Sequence, residues 1–179
     1  PLGVIQGAVL QRGSELDIII PNNPLKSKEN IIATGSLRRK AQWLNRFKTD
    51  KIVEIRGNVQ TRLRKLKENN WNGTIMAKAG LERLEILPEY YQELNWMIPA
   101  PAQGAISVQN LTIKPSITKM LKQINHVETE ICTNIERSFL NKLEGGCTAP
   151  IGAHAKIVND SIIFRGVLLP ILSSCLLYT

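Results

Sequence analysis

The sequence predicts an α/β fold, and three observations carry that prediction. Between residues 30 and 87, short apolar runs alternate with helical stretches, with about 21 residues per unit, the length that a strand, its crossover helix and their loops require. Within the helical stretches apolar residues recur one turn apart, as Leu37, Ala41 and Leu44 do, and then Val59, Leu63 and Leu66. Polar signals stand where helices should begin: Ser36 after Gly35, and Asn58 after Gly57. The expected architecture is a mainly parallel sheet with helices packed on it.

Taken in order, Val4 to Leu10 and Leu16 to Ile20 read as two strands parted by the polar turn Gln11-Arg12-Gly13-Ser14. Pro21-Asn22-Asn23-Pro24 and the Lys/Ser-rich stretch up to Asn30 read as a loop. Three strand-helix units follow: Ile31–Thr34 with the helix from Leu37, Lys51–Ile55 with the helix from Val59, and Gly73–Ala77 with a helix around Gly80-Leu81. Pro99-Ala100-Pro101-Ala102-Gln103-Gly104 reads as a linker and a boundary, because two prolines interrupt regular pairing. Ala105 to Gln109 is a returning strand, and Pro115–Asn125 and Val127–Leu143 are helices, the second with Ile131, Ile135, Phe139 and Leu143 on its apolar face. Gly145-Gly146 should end that helix. Ala153–Val158 and Ile162–Leu168 read as a hairpin about Asn159-Asp160, which is not the preferred Asn-Gly turn. The tail from Leu168 to Thr179 is apolar, uncharged and interrupted by Pro170. It is too short to cross a bilayer and is expected to be an atypical end rather than an anchor.

At 179 residues, 43% of them hydrophobic and 21% charged, the chain is globular and outside the regime of disorder. Lys+Arg number 23 against 15 Asp+Glu, a net charge of +8, and the only aspartates are Asp17, Asp50 and Asp160. Three cysteines, Cys132, Cys147 and Cys175, are too few for a disulfide framework, and His126 and His154 are too few for a zinc cluster. A reducing cytoplasm fits that content. The start at Pro1 lacks an initiator Met and the basic region of a signal peptide, so the chain is expected to begin inside a longer one.

Four arginines fall where an α/β sheet binds ligands. Arg38 and Arg39 lie in the first helical turn after Ser36, Arg56 at a strand's carboxyl end, and Arg62 in the turn capped by Asn58. Helix N-termini already favour anions, and a cation there costs on the order of 0.3–1 kcal/mol. Arginines in these turns therefore call for a compensating anion or for solvent exposure. The guanidinium fork binds carboxylate or phosphate bidentately, which suits a multivalent anion. On the residues alone, a solvated basic face remains open, as does a nucleic-acid contact through Ser36–Lys40 and Arg62–Lys67. Against the latter, aromatics make up 5% of the chain and do not interleave with the basic runs. Cys147, after two glycines and before Pro150, stands on a tight loop and could be a nucleophile or an incidental loop thiol, whereas Cys132 falls within a helix and is expected to pack in a core. His126 and His154 read as capping or surface residues.

Five ordered motifs resemble the porphobilinogen deaminase (hydroxymethylbilane synthase) family of tetrapyrrole, and hence haem and porphyrin, biosynthesis. They are Thr34-Gly35-Ser36-Leu37-Arg38-Arg39; Arg56-Gly57-Asn58-Val59 with Thr61-Arg62-Leu63; Ala79-Gly80-Leu81-Glu82-Arg83-Leu84; Pro99-Ala100 with Gln103-Gly104-Ala105; and Leu143-Glu144-Gly145-Gly146-Cys147 with Pro150-Ile151-Gly152. The resemblance runs from residue 1 to about 167 and does not include the tail. It implies a transferase that joins four porphobilinogen molecules head to tail into hydroxymethylbilane with release of ammonia. The chain grows on a dipyrromethane cofactor held by a thioether to the cysteine matching Cys147. Each pyrrole carries an acetate and a propionate, so the polymer is polyanionic. By position, Arg38, Arg39, Ser36 and Thr34 would hold the cofactor and Arg56, Arg62 and Arg83 the substrate, with Arg38 and Arg62 expected to face the cleft. No metal, nucleic acid or membrane partner is implied, and the complete enzyme is expected to be a monomer in the cytoplasm. The alternative is a small-anion solute-binding module of periplasmic type.

The resemblance also implies a periplasmic-binding-protein-like fold, with a parallel or mixed sheet and helices on both faces, followed by part of a small α+β domain. Residues 1–12 would end domain 1 and 13–99 form domain 2; residues 100–125 would return to domain 1, and 126–179 begin domain 3 with the cofactor-cysteine loop. The family's catalytic Asp stands in a His-Ser-x-Lys-Asp-x-Pro motif expected upstream of Pro1, so no catalytic residue is assigned here and the polypeptide alone is expected to be inactive. Four positions depart from the family's pattern: Gly35 for Ser, Gln60 for Gly, Ala102 for Gly, and Lys78 in an otherwise apolar strand end.

Overall fold

The computed structural model describes residues 3–22, 30–143 and 150–170. The Gly145-Gly146 helix stop, Cys147 and the tail beyond Pro170 lie outside the described residues. Five strands form the central sheet: β2 (Asp17–Pro21), β3 (Ile31–Ala33), β4 (Lys51–Val53), β5 (Gly73–Ala77) and β6 (Gln92–Glu93), in the order β4-β3-β5-β2-β6. β3 is parallel to both β4 and β5, while β2 is antiparallel to both β5 and β6. The expected mainly parallel sheet is therefore mixed. The strand-helix units build its parallel half, and β2, which enters from a different sheet, reverses the direction.

Alternation along β2 explains why helices cover both faces. Ile18 and Ile20 point to one side, where they pack with Met76, with Leu66 of α2 (Val59–Glu68) and with Leu81 of α3 (Lys78–Arg83). Ile19 points to the other, toward Ile32, Ile75 and Trp43 of α1 (Leu37–Arg46). A period of two in the strand thus distributes three isoleucines between two cores. Helix α2 buries the stripe expected of it, but α1 does not: Leu37 is exposed, and the inward side carries Arg38, Arg39 and Gln42 beside Ala41 and Trp43. Polar side chains tolerate that position only because each finds a partner there.

Strand β1 (Val4–Val9) pairs antiparallel with β7 (Ser107–Leu111), with a bulge between Gln6 and Ala8. The helix expected over residues 115–125 is α4 (Pro115–Leu121) followed by a 3-10 turn, Lys122–Ile124. In α5 (Val127–Lys142), His126 is the N-cap, its Nδ1 accepting from the Thr129 amide at 3.2 Å. The buried side of α5 is Thr129, Cys132, Thr133 and Glu136, whereas Ile131 and Leu143 of the expected apolar face are exposed. Strands β8 (Ile151–Val158) and β9 (Ser161–Leu168) form the hairpin, and α5 sets Phe139 edge-on to Phe164, ring centroids 5.2 Å apart. Asn159 and Asp160 take φ of 49° and 59°, so this pair adopts the left-handed turn that a two-residue hairpin needs without its usual glycine.

Two segments cross between the β1–β7 pair and the central sheet: residues 10–16 and 98–106. They run side by side, with Leu10 N donating to Ile106 O at 2.9 Å and Gly13 N to Gly104 O at 3.2 Å. Gly104 has φ +85°, and a Cβ there would lie 2.6 Å from the Ser14 carbonyl, so this position needs glycine. The stretch that composition marks as a linker is thus firmly tied. Pro99 O accepts from Ala153 N of β8 at 2.9 Å, and Ala102 N donates to Glu136 Oε2 at 2.6 Å. Glu136 has no solvent contact; it takes both ends of the Arg12 fork, at 2.7 and 3.1 Å, and the Ala155 amide at 2.8 Å.

Ala102 adopts φ 62°, the left-handed region that disfavours any Cβ. This accounts for the glycine usual at that place in the resembled family. Ala102→Gly should stabilise the fold by roughly 0.5–1 kcal/mol, the relief of strain exceeding the added chain entropy. Denaturant unfolding of the pair measures it, and a loss of stability would contradict the assignment of strain.

A second test concerns His154 on β8, which is buried with Nε2 3.5 Å from Glu15 Oε1. Burial pushes its imidazole below the ordinary value, Arg12 and Arg165 add to this, and Glu15 and Glu136 oppose it. Between the depressed folded value and the unfolded value of 6.5 the unfolded chain binds the extra proton. Stability is therefore fully present above that range and falls as pH drops through it. Melting temperature should decline from pH 7 to pH 5 more steeply for the native chain than for His154→Gln, and parallel profiles would count against this.

Candidate functional site

Two helix starts meet at the carboxyl ends of the parallel strands. After β3, buried Thr34 donates its amide to Val53 O at 3.0 Å and accepts the Ser36 amide on Oγ1 at 3.3 Å. Ser36 caps α1, its Oγ accepting from the Arg39 amide at 3.4 Å. A Cβ on Gly35 would stand 2.5 Å from the Ile55 carbonyl, so the absence of a side chain lets the loop lie directly against the chain leaving β4. Asn58 caps α2, its Oδ1 accepting from the Thr61 amide at 2.8 Å. Neither helix has an acidic residue in its first turn, which leaves the positive end of each dipole without a local counter-charge from that turn.

Arg38, expected to face the cleft, is buried against Asp17 in the described residues. Arg38 is 5% exposed and Arg39 9%. Arg38 Nη1 donates to Asp17 Oδ2 at 2.7 Å and to Ile98 O at 2.8 Å, and its Nη2 donates to Gln103 Oε1 at 3.2 Å. Arg39 Nε donates to Asp17 Oδ1 at 2.9 Å, with Nη2 2.8 Å from the same oxygen, and Nη1 reaches Ile75 O at 3.3 Å. Gln103 Nε2 donates to Asp17 Oδ1 at 3.1 Å and to Glu15 O at 2.7 Å. The compensating anion demanded by two arginines in a first helical turn is thus supplied from within, by Asp17 at the start of β2.

Among the described residues one carboxylate faces the two guanidinium groups, which leaves the cluster one positive charge in excess. Burial acts first on Arg39 and pushes its guanidinium down; Asp17 opposes this, while Arg38 and Arg62 push it further down. For Asp17, burial acts upward, but Arg39 and Arg38, with hydrogen bonds from Arg38 and Gln103, hold the carboxyl below its ordinary value. Arg62 is half-buried, and its Nε donates to Gly57 O at 2.8 Å. Arg56 is exposed and meets Glu54, Nε to Oε1 at 2.6 Å, and Lys65 donates to the Arg56 carbonyl at 3.0 Å. Arg83, also exposed, donates to the Gly104 carbonyl on the crossing segment. The arrangement therefore has a buried cationic base, Arg38 and Arg39, and more accessible forks, Arg56, Arg62 and Arg83.

Lys78 does not add a free cation. Its ammonium lies 2.7 Å from Glu93 Oε1 and 3.7 Å from Glu82 Oε1, with the Tyr91 ring centroid 5.6 Å away, and the hydrogen bond that it donates to Glu93 leads in raising its pKa. Cys132 packs on the buried side of α5 as expected, its thiol pushed up by burial and by the Glu136 carboxylate, so it is a poor nucleophile. Cys147, the residue of chemical interest, is outside the described residues. Among the described residues no three His, Cys, Asp or Glu side chains gather as a metal site, and no helix is long and apolar enough to cross a membrane. A cavity of about 800 Å³ opens beside Ile20, Leu63, Leu66, Ile86 and Tyr90, but none of the arginines lines it.

Sequence reading did not single out Asp17, Gln42, Gln103 or the Arg12–Glu136 pair for these roles. Asp17 had one signal, as a lone charge opening the apolar run Asp17-Ile18-Ile19-Ile20 in a chain with few aspartates. Glu136 had another, in the helical spacing of Thr129, Cys132, Thr133 and Glu136.

Comparison with known proteins adds an independent line. A family model described as porphobilinogen deaminase, dipyromethane cofactor binding domain, matches residues 1–119, and one described as porphobilinogen deaminase, C-terminal domain, matches residues 130–171. The chain is 35% identical over 170 residues to a porphobilinogen deaminase of Chloroherpeton thalassium, covering 92% of this chain and 54% of that protein. It is 38% identical over 176 residues to that of Limosilactobacillus reuteri, covering 94% and 58%. To a probable porphobilinogen deaminase of Methanosarcina acetivorans it is 40% identical over 172 residues, covering 89% and 52%. The chain thus spans about half the length of the curated relatives it matches. With the first family model alone taking in 119 of its 179 residues, the chain belongs to the porphobilinogen deaminase family.

Proposed function

We propose that the full-length protein is a hydroxymethylbilane synthase, a transferase of tetrapyrrole biosynthesis that condenses four porphobilinogen molecules head to tail and releases ammonia at each step. The observation that carries this reading is the uncompensated positive charge at two adjacent helix starts. Pyrroles bearing acetate and propionate accumulate carboxylates as the chain grows, and several arginine forks on one sheet edge suit such a ligand better than a single small anion would. The reaction belongs to the cytoplasm, with the protein acting as a monomer without nucleic-acid or membrane partners.

The residues present fit a dipyrromethane group. That group brings four carboxylates, and the donors at the site are guanidinium forks, the Thr34 and Ser36 hydroxyls and the start of α1. Dipyrromethane supplies the primer on which the polypyrrole grows, attached through Cys147. Thr34, Ser36, Arg38 and Arg39 hold and orient the cofactor end, and Arg56, Arg62 and Arg83 take carboxylates of incoming substrate. The buried pair offers its guanidinium groups from fixed positions beneath the α1 terminus, where low dielectric makes their charge strong. The accessible forks, exposed Arg56 and Arg83 and half-buried Arg62, meet substrate at the entropic cost of ordering their side chains. No residue of this chain is assigned the proton handling of ammonia loss, and the sequence contains no His-Ser-x-Lys-Asp-x-Pro motif. The reading divides the chain at residues 12, 99 and 125: the flanking pieces 1–12 and 100–125 belong to one domain, 13–99 to a second, and 126–179 to a third.

The two arginine classes should respond differently to substitution in the full-length protein. Arg62→Leu should raise KM for porphobilinogen about 10-fold, consistent with loss of one charge-assisted contact, while stability changes by no more than about 0.5 kcal/mol. Arg38→Leu should destabilise by about 3–5 kcal/mol, because it removes one partner of a buried pair. Steady-state kinetics with thermal unfolding separates them, and equal effects on stability would refute the division into buried base and accessible forks.

Cys147→Ser tests the reading as a whole. It should abolish the covalently retained pyrrole, detected as a mass increment on the denatured protein, and with it turnover. A fully active Cys147→Ser protein would show that the thiol does not carry the growing chain.

A further inference from the structure

We propose that Asp17 is a positioning residue for the carboxylate-binding site, orienting the guanidinium planes of Arg38 and Arg39 and acting on the ligand only through them. This rests on the function proposed above and deepens it. Asp17 has no solvent contact, so no ligand reaches it. Its backbone is fixed on both sides: it pairs with Ala77 of β5 across one edge of β2, and its carbonyl accepts from Leu94 N at 2.9 Å on the other. The carboxylate divides its oxygens, Oδ2 to Arg38 at 2.7 Å and Oδ1 to Arg39 at 2.9 Å, with Gln103 adding a third donor at 3.1 Å. Each guanidinium is then held by a second, neutral acceptor, Ile98 O for Arg38 and Ile75 O for Arg39. A flexible arginine has many rotamers, and holding it in one beforehand removes that entropy cost from ligand binding.

Positioning and bulk charge predict opposite signs. As a mere negative charge below a cationic site, Asp17 would weaken anion binding, and its neutralisation would tighten it. As a positioning group its neutralisation must weaken binding even though the site becomes more positive. In Asp17→Asn the carboxamide retains one acceptor, but its NH2 faces a guanidinium donor, so one arginine loses its orientation.

The test uses the full-length Cys147→Ser protein, which has no thiol to attach the cofactor, and a free dipyrromethane bearing acetate and propionate groups but no aminomethyl group, which binds at Arg38 and Arg39 without reacting. Calorimetric Kd for this dipyrromethane should rise about 10-fold when Asp17→Asn is added, for the folded fraction measured by thermal unfolding, while Kd for the corresponding single pyrrole, taken by Arg56, Arg62 and Arg83, changes less than 3-fold. A dipyrromethane Kd that is unchanged or lower overturns the proposal. Should Asp17→Asn fail to fold, Gln103→Met releases Asp17 Oδ1 and Arg38 Nη2 without altering charge; it should raise Kd about 3-fold, and an unchanged Kd overturns the proposal equally. The expected effects on Kd, together with no turnover of porphobilinogen by the protein with Cys147 intact, leave the positioning role standing and refute the proposed function instead.

Discussion

A carboxylate withdrawn from water must have its lone pairs met by donors, and this constraint governs the centre of the molecule. Asp17 and Glu136 are both inaccessible to solvent, and each collects arginine and amide donors from segments far apart in sequence. Glu136 draws in Arg12, Ala102 and Ala155; Asp17 draws in Arg38, Arg39 and Gln103. Gln103 belongs to both assemblies, because its carbonyl accepts from Arg12 Nε at 2.9 Å while its side chain joins Asp17. The two crossing segments are therefore tied together by charged side chains as well as by their backbone hydrogen bonds. Such ion pairs add little net stability over hydrophobic replacements, since desolvation consumes most of the Coulombic gain, but losing either partner is expensive. They specify one arrangement of the crossing by making the alternatives costly.

The same constraint decides what the arginines can do. A cation in the first turn of a helix opposes the dipole, and burial would make two of them untenable without Asp17. With Asp17 in place the pair is tolerated, yet one charge short of neutral, in a region where solvent screens poorly. On the proposed function, such a site is prepared for an anion before any ligand arrives, and the preparation resides in Asp17, which the ligand does not touch. The accessible arginines contribute differently: Arg56 is held by Glu54 and Arg62 by the Gly57 carbonyl, contacts that a carboxylate can replace at small cost.

Local chemistry was legible in the sequence wherever the signal and its cause lay close together. The caps Ser36, Asn58 and His126, the strand-helix units and the hairpin about Asn159-Asp160 all depend on neighbours within a few residues. What escaped depended on partners far along the chain. Nothing near Arg38 shows that it will turn inward, because Asp17 stands 21 positions away. The apolar stripe assigned to α5 through Ile131 failed for the same reason, since the partners of Glu136 come from residues 12, 102 and 155. The stretch Pro99–Gly104 has the composition of a linker, and composition does not report that Ala102, Gln103 and Gly104 each bond across the junction. The periodicity of β2 is the same whichever way its partner runs, so residue patterning alone pointed to a mainly parallel sheet, and a mixed one was expected only from the family resemblance.

Departures from the family's residue pattern can be read through this geometry. Ala102 carries the strain of a left-handed backbone, and its amide makes a short charge-assisted bond to Glu136 that holds the residue there. The strain is local and the bond is shared by the whole junction, so the ion pair outweighs the unfavourable residue. Gly35 works in the opposite sense: a side chain at that place would meet the Ile55 carbonyl, and removing it lets two strand ends approach. Lys78, which on composition looked like an addition to the site's charge, is absorbed by Glu93 on the neighbouring strand. The net charge of +8 is therefore a poor guide to binding. What distinguishes the edge is that two buried guanidinium groups share one carboxylate there, and an excess charge held out of water attracts an anion more strongly than several at the surface.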